Sequence, residues 1–261
     1  MPKALDSFDR IVCINLDDRP DRWRQMQDAT APLLGAVKIE RFSAIKYDRT
    51  QKRATNGLVG CLLSHRGAIE QAYRDGLDSV LVLEDDVLFD PEFDQRAQQA
   101  VASLEATDWD IFYLGFTPKA PLLPAGDGLV RTYGGLTTHA IAYHRRAMPA
   151  MLRHLPDESD VLRFHSRYKS IDRYYWQHVA QELKCFASRP PLAFQREDFS
   201  DIQQSATTSN EQEVKQAFEK HLIENPTAIA RLGVRAGLAW SRVKYRIDGQ
   251  RRAMTRQVKA K

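Results

Sequence analysis

Three adjacent carboxylates, Glu84, Asp85 and Asp86, close the aliphatic run Val80-Leu81-Val82-Leu83 and are followed by Val87-Leu88. Neighbouring acids repel one another at neutral pH unless a cation or a proton offsets the charge. Carboxylate oxygens suit hard divalent ions such as Mg²⁺ or Mn²⁺. In a strand, residues i and i+2 point to the same side. A strand running through all three acids would therefore turn Glu84 and Asp86 towards one ion and its ligand phosphates, with Asp85 facing away. The competing reading is a solvated acidic turn that caps the next helix. The buried-type strand before the acids favours the metal, because ligands of open α/β sheets gather at the carboxyl ends of strands.

Two further constellations carry chemistry. Asn15-Leu16-Asp17-Asp18-Arg19-Pro20-Asp21-Arg22 follows a first apolar run. Arg19 and Arg22 match phosphate geometry, although an ordinary charged helix start has the same composition. In Gly57-Leu58-Val59-Gly60-Cys61-Leu62-Leu63-Ser64-His65-Arg66, Ser64 and His65 sit among leucines in a helical pattern. Adjacent residues do not share a helix face, which argues against a hydrolytic dyad. A His in that setting ordinarily packs in the core.

The elements that must position these residues alternate. Residues 11–16 read as a buried strand. A helix begins at Pro20, a residue favoured in the first turn, and runs through about Ala29. A second strand falls in 37–45, and 46–57 is a polar loop without periodicity. Residues 58–73 have helical spacing and stop at Asp75-Gly76. After the acidic strand come a helix over 91–104 and a strand over 109–115. Residues 117–128 make a Pro- and Gly-rich loop or hairpin connection. Strands at 129–133 and 138–143 flank Gly134-Gly135, helices follow at 147–154 and 171–183, and 184–194 carries a last strand. Strands and helices in this order predict an open α/β sheet.

Composition agrees with a globular chain: 261 residues, 28% charged and 43% hydrophobic. No stretch approaches the apolar length that crosses a bilayer, and Met1-Pro2-Lys3-Ala4-Leu5-Asp6 lacks a signal-peptide core. Cys13, Cys61 and Cys185 are an odd count without metal-like spacing, which reads as reduced thiols in a cytoplasmic protein. The net charge of +4 is uneven. Residues 226–261 hold ten Lys and Arg against one acid, Asp248, so this tail carries +9 and the remainder −5.

Four segments in order resemble glycosyltransferase family 25, which includes bacterial lipopolysaccharide glycosyltransferases and collagen galactosyltransferases. They are Ile14-Asn15-Leu16-Asp17 with Arg19 and Arg22, Gly60-Cys61-Leu62-Leu63-Ser64-His65, Leu83-Glu84-Asp85-Asp86-Val87, and Thr138-His139-Ala140-Ile141-Ala142-Tyr143. Ser170-Ile171-Asp172 and Gln195 with Ser200-Asp201-Ile202 match more weakly. The resemblance covers roughly residues 9–205. It implies a GT-A type fold, a Rossmann-like mixed central sheet flanked by helices. It also implies a nucleotide-sugar donor, UDP-linked, a divalent Mn²⁺ or Mg²⁺, and inversion at the anomeric carbon. Glu84 and Asp86 then belong to the metal and diphosphate. Asn15, Leu16, Arg19, Arg22, Ser64, His65 and Asp85 belong to the donor side. Related enzymes often take a further metal ligand from a late His; the comparable position here is Gln195, a neutral oxygen ligand.

Inverting transfer needs a carboxylate to take the acceptor proton. Asp172 is the candidate base, with a helix N-terminal acid as its alternative; Asp198 and Asp201 are second choices. His139 and Trp176 are candidates to line the site or meet the acceptor, and packing is the alternative for both. Tyr168, Tyr174 and Tyr175 are either a sugar-stacking face or core. The resulting expectation is an enzyme extending a bacterial surface glycan such as lipopolysaccharide core or O-antigen. A nucleotide-sugar-forming nucleotidyltransferase and a catalytically degenerate sugar-nucleotide-binding protein are the rivals.

We expect a catalytic domain over 1–225 and a basic tail over 226–261. In the tail, Ile229, Leu232, Ala236, Ala239, Val243 and Ile247 recur at helical spacing beside Arg231, Arg235, Arg242 and Arg246. That pattern suits a helix on an anionic membrane surface, at the inner face of the cytoplasmic membrane, where a lipid-linked glycan acceptor would reside. A packed or solvated terminal helix has the same pattern. The acidic body and the absence of a nucleic-acid motif argue against a nucleic-acid partner.

Overall fold

The computed structural model of the chain describes residues 3–196 and 211–227. Its strands are β1 Arg10–Asn15, β2 Ile39–Ser43, β3 Ser79–Glu84, β4 Val87–Phe89, β5 Ile111–Pro118, β6 Leu123–Gly126, β7 Leu129–Thr132, β8 Gly135–His144, β9 Cys185–Ser188 and β10 Ala193–Gln195. Eight of them form one mixed sheet in the order β2-β1-β3-β8-β5-β9-β7-β6, and β4 pairs with β10 in a separate ladder. β2, β1 and β3 run parallel; β8 lies antiparallel between β3 and β5. Helices cover both faces, as the expected mixed α/β architecture requires.

Strand alternation explains the two faces. Val12, Ile14, Val80, Val82, Ile111, Tyr113, Ile141 and Tyr143 enter one apolar cluster. Their neighbours Ile11, Cys13, Leu81, Leu83, Phe112, Leu114, Ala140 and Ala142 enter the other. A sheet buried on both sides reads as continuous apolar sequence, which is why β1 and β3 are plain in the sequence. Helix α2, Arg53–Arg74, presses Val59, Leu62, Leu63 and Ile69 onto the first face, where α4, Met148–His154, and α5, Val161–Tyr168, also contribute. Met26 of α1, Pro20–Thr30, and Phe93, Ala97, Ala100 and Leu104 of α3, Phe93–Glu105, cover the second.

Several expectations change. Helix α2 begins at Arg53, inside the expected loop: its first turn is exposed and polar, so it shows no apolar period. Asn56 anchors that start, because its side chain accepts from the Thr50 backbone N–H and donates to the Thr50 carbonyl. The expected helix 171–183 is α6, Ile171–Tyr174, a π-helical segment at Tyr175–Val179, and α7, Ala180–Glu182. The one strand expected in 184–194 is two, β9 and β10, on different sheets; Pro190 and Pro191 have no N–H with which to continue the ladder. Helix α5 and α8, Glu211–His221, were not anticipated. The proposed tail helix lies outside the described residues, as do all residues of the expected tail after Thr227.

One close approach fixes the relation of the two sheets. A Cβ on Gly115 of β5 would stand 1.8 Å from the Ala193 carbonyl oxygen of β10 and 2.9 Å from His139 Nε2. Gly115→Ala must push backbone from backbone. It should lower stability by about 1–3 kcal/mol or more, read as a drop in the urea midpoint. An unchanged midpoint would contradict the contact.

Candidate active site

Strand polarity gathers the chemistry at one edge of the sheet. β1 and β3 are parallel with Ile14 opposite Glu84, so their carboxyl ends lie side by side and Asn15 reaches Asp85. β8 arrives from the opposite direction with Ala140 opposite Leu83, which brings Thr138 onto Glu84. The β4–β10 ladder sets Gln195 opposite Val87, and the Arg196 N–H donates to the Asp86 carbonyl at 2.7 Å.

The acids do not share a strand. β3 ends at Glu84, and Asp85-Asp86 form a turn into β4. Strand alternation therefore cannot be what aims Glu84 and Asp86, and this corrects the sequence argument. Each carboxylate instead has its own environment. Glu84 Oε1 accepts from Thr138 Oγ1 at 2.9 Å and meets His65 Nε2 at 3.2 Å. Burial alone would raise the Glu84 carboxyl. The His65 hydrogen bond and charge, with smaller contributions from His139 and Thr138, outweigh it and hold the group below its ordinary value. Asp85 accepts from Asn15 Nδ2 at 2.7 Å and Arg22 Nη1 at 3.2 Å. Burial still raises it, those two partners notwithstanding.

Asp86 is different. Burial first, then the charges of Glu84 and Asp85, push its carboxyl up to about 7. Its Oδ1 is buried without a hydrogen-bond partner among the described residues. A buried carboxylate oxygen left unmatched is costly, and either a proton or a cation would satisfy it. Oxygen donors from Asp86, Glu84 and Gln195, the last opposite Val87 in the β4–β10 ladder, are of the type that Mn²⁺ or Mg²⁺ takes.

The other candidates occupy mixed positions. Asn15 is a hub: it donates to Asp85 and to the Arg19 carbonyl and accepts from Arg41 Nε at 2.8 Å. The Leu16 carbonyl closes the turn by accepting the Arg19 N–H. The Arg19 side chain pairs with Asp21 at the start of α1. Arg22 is buried and spends one nitrogen on Asp85, so it orients the acidic turn. Ser64 is wholly buried; its hydroxyl donates to the Gly60 carbonyl and accepts the Ile45 N–H, which makes it a clip for the loop after β2. His65 touches Glu84 directly. His139 is in the interior, 2% exposed, with Nε2–H donating to the Ala193 carbonyl. It packs β8 against β10 and does not form an open wall. Tyr175 is core, its hydroxyl bonded to that of Tyr143. Trp176 is half-buried in the π-helical segment, its backbone against Gly134. Asp198 and Asp201 lie outside the described residues.

Asp172 accepts from the Thr137 N–H at 3.1 Å, the Arg173 N–H at 2.7 Å and the Ser170 hydroxyl. Two non-glycine residues with positive φ stand on either side of it, Thr137 at 72° and Lys169 at 76°. A β-branched residue in that region is strained, and such strain persists where surrounding contacts impose it. Thr137 and Thr138 are the candidate site residues that the sequence does not single out: Thr138 reads as a strand residue within one motif, and its bond to Glu84 spans 54 residues.

Residues 8–116 match the family model described as "Glycosyltransferase family 25 (LPS biosynthesis protein)". A probable inactive glycosyltransferase 25 family member 3 of Bos taurus is 26% identical over 225 residues. Within residues 8–116 the chain is similar to glycosyltransferase family 25. The Bos taurus match covers 71% of this chain and 36% of that relative. Procollagen galactosyltransferase 1 of Danio rerio is 24% identical over 228 residues, 74% of this chain and 38% of the relative. The chain thus spans less than two fifths of the length of these relatives. Among solved structures, a glycosyltransferase involved in glycosylation of the major capsid of PBCV-1 is loosely similar, with a TM-score of 0.46, 9% identity, and coverage of 81% of this chain and 98% of that one.

The raised Asp86 carboxyl has a pH signature. Its folded value, about 7, lies above the ordinary 3.8. Between those values the folded chain holds a proton that the unfolded chain releases, so this group costs stability as pH rises through that window. In EDTA, Asp86→Asn should stabilise the chain at pH 8, by up to roughly 1.4 kcal/mol per unit of displacement. The gain should fade towards pH 4. Urea unfolding at both pH values reads it; a gain independent of pH would contradict the assignment.

Proposed function

We propose that this protein is a family 25 glycosyltransferase, a metal-dependent, inverting hexosyltransferase. It moves a sugar from a UDP-linked donor to a hydroxyl of a bacterial surface glycan such as lipopolysaccharide core or O-antigen. The observation that carries the reading is the buried, unmatched Asp86 Oδ1 beside Glu84 at the carboxyl end of the parallel strands. Asp86, Glu84 and Gln195 would hold Mn²⁺ or Mg²⁺. Such an ion offsets charge developing on a leaving diphosphate.

The residues of the chain divide the remaining work. Thr138 and His65 fix the Glu84 carboxylate, and Asn15 and Arg22 fix Asp85, so the acidic turn is held before any ligand arrives. Arg19, in the turn after β1, would leave Asp21 to meet a donor phosphate. Asp172 is the base that takes the acceptor hydroxyl proton. Its three donors orient the carboxylate, and the strained Thr137 beside it supports a functional position. The basic tail would dock on an anionic membrane surface at the inner face of the cytoplasmic membrane, close to a lipid-linked acceptor. No helix among the described residues is long and apolar enough to cross a membrane.

A second reading, a degenerate sugar-nucleotide-binding protein, is favoured by the relative named inactive. A panel of nucleotide sugars with Mn²⁺ or EDTA separates the two, read as donor hydrolysis and thermal shift. We expect one donor to be turned over with Mn²⁺ and spared in EDTA. Asp86→Ala should reduce turnover by about 10²-fold or more. Asp172→Asn should lower kcat by about 10²- to 10⁴-fold and keep the donor-induced thermal shift. Full activity in Asp86→Ala would sink the transferase reading. Binding without turnover for every donor would leave the second.

A further inference from the structure

Cys61 has no part in the chemistry above, yet it lies one helical turn from His65 on α2, and both approach Glu84. One ligand atom from each, the Cys61 thiol sulfur, a His65 ring nitrogen and a Glu84 carboxylate oxygen, lie within 4.8 Å of one another. Residues four apart on a helix share a face, and that spacing presents paired ligands to one ion in helical metal sites. Thiolate, imidazole and carboxylate with a fourth place open is a Zn²⁺ donor set, with Zn–S about 2.3 Å and Zn–N about 2.0 Å. Tetrahedral bonds of those lengths separate donor atoms by about 3.5 Å, a contraction that side-chain rotation supplies.

The surroundings suit an ion. His65 is wholly buried, and its Nδ1 has no hydrogen-bond partner among the described residues. Thr138 donates to Glu84 and orients the carboxylate, as outer partners of metal ligands do. Without a cation, burial, reinforced by the charge of Glu84, keeps the thiol protonated.

We propose that Cys61, His65 and Glu84 form a second metal site, selective for soft or borderline ions of the Zn²⁺ class and separate from the all-oxygen donor set at Asp86. On binding, the thiol proton leaves to solvent and the sulfur donates its lone pair to the ion. The site stands without the transferase reading and shares only Glu84 with it. An occupant would draw Glu84 away from Asp86, so where that reading holds, Zn²⁺ opposes the hard ion.

The test is Co²⁺ titration of the reduced full chain. We expect a thiolate-to-cobalt charge-transfer band that saturates at one ion per chain and is bleached by Zn²⁺. Cys61→Ser should abolish it, weakening Co²⁺ binding on the order of 10²-fold. Cys13→Ser and Cys185→Ser should retain the band. Asp86→Ala should retain it too, even if transfer is lost, which keeps the two proposals separately refutable. No band in the unaltered chain, or one that survives Cys61→Ser, overturns the site. Should Cys61→Ser not fold, alkylation of Cys61 in the unaltered chain, read by mass spectrometry, decides. Protection by Zn²⁺ supports the site, and equal labelling with and without Zn²⁺ overturns it.

Discussion

Carboxylates that stand shoulder to shoulder at a strand end, partly shielded from water, repel each other, and the fold must answer that repulsion for each one separately. Glu84 is answered by His65 and Thr138, and Asp85 by Arg22 and Asn15. Asp86 receives no such answer at Oδ1. The imbalance is local and specific: two acids are neutralised by side chains from α2, β8, β1 and α1, and the third is left to be satisfied by a proton or a cation. Burial of two charges in this way is not a stabilising strategy in itself. Its effect is to fix the turn in one conformation.

That arrangement makes demands on the whole architecture. The parallel pair β1–β3 must end in register so that Asn15 meets Asp85. β8 must run antiparallel beside β3 to deliver Thr138. Gly115 must lack a side chain so that β10 can close over β5 and bring Gln195 level with Val87. Even His139, which touches no open surface, serves this closure through the Ala193 carbonyl.

Much of the scaffold was legible because its signals are local. Val80-Leu81-Val82-Leu83 suits a strand buried on both faces, and Pro20 marks the start of α1. The acidic triplet is visible as a candidate site for the same reason. What escaped was set by distant partners. The end of β3 at Glu84 follows from the β4–β10 ladder, whose strands are more than a hundred residues apart, so the alternation argument for Glu84 and Asp86 failed. Arg22 reads as a phosphate ligand until Asp85 is seen to hold it. Thr138 looks like any strand residue until β8 is paired with β3. The polar first turn of α2 carries no period, and Pro190-Pro191 split what reads as one strand into two.

The central claim is that Asp86 awaits a cation, and calorimetric titration of Mn²⁺ as a function of pH tests it most directly. A carboxyl displaced to about 7 must lose its proton before it can bind. Affinity should therefore climb about tenfold per pH unit below 7 and level off above it, and Asp86→Asn should flatten the curve. Mn²⁺ affinity that is absent throughout, or indifferent both to pH and to Asp86→Asn, would contradict the account.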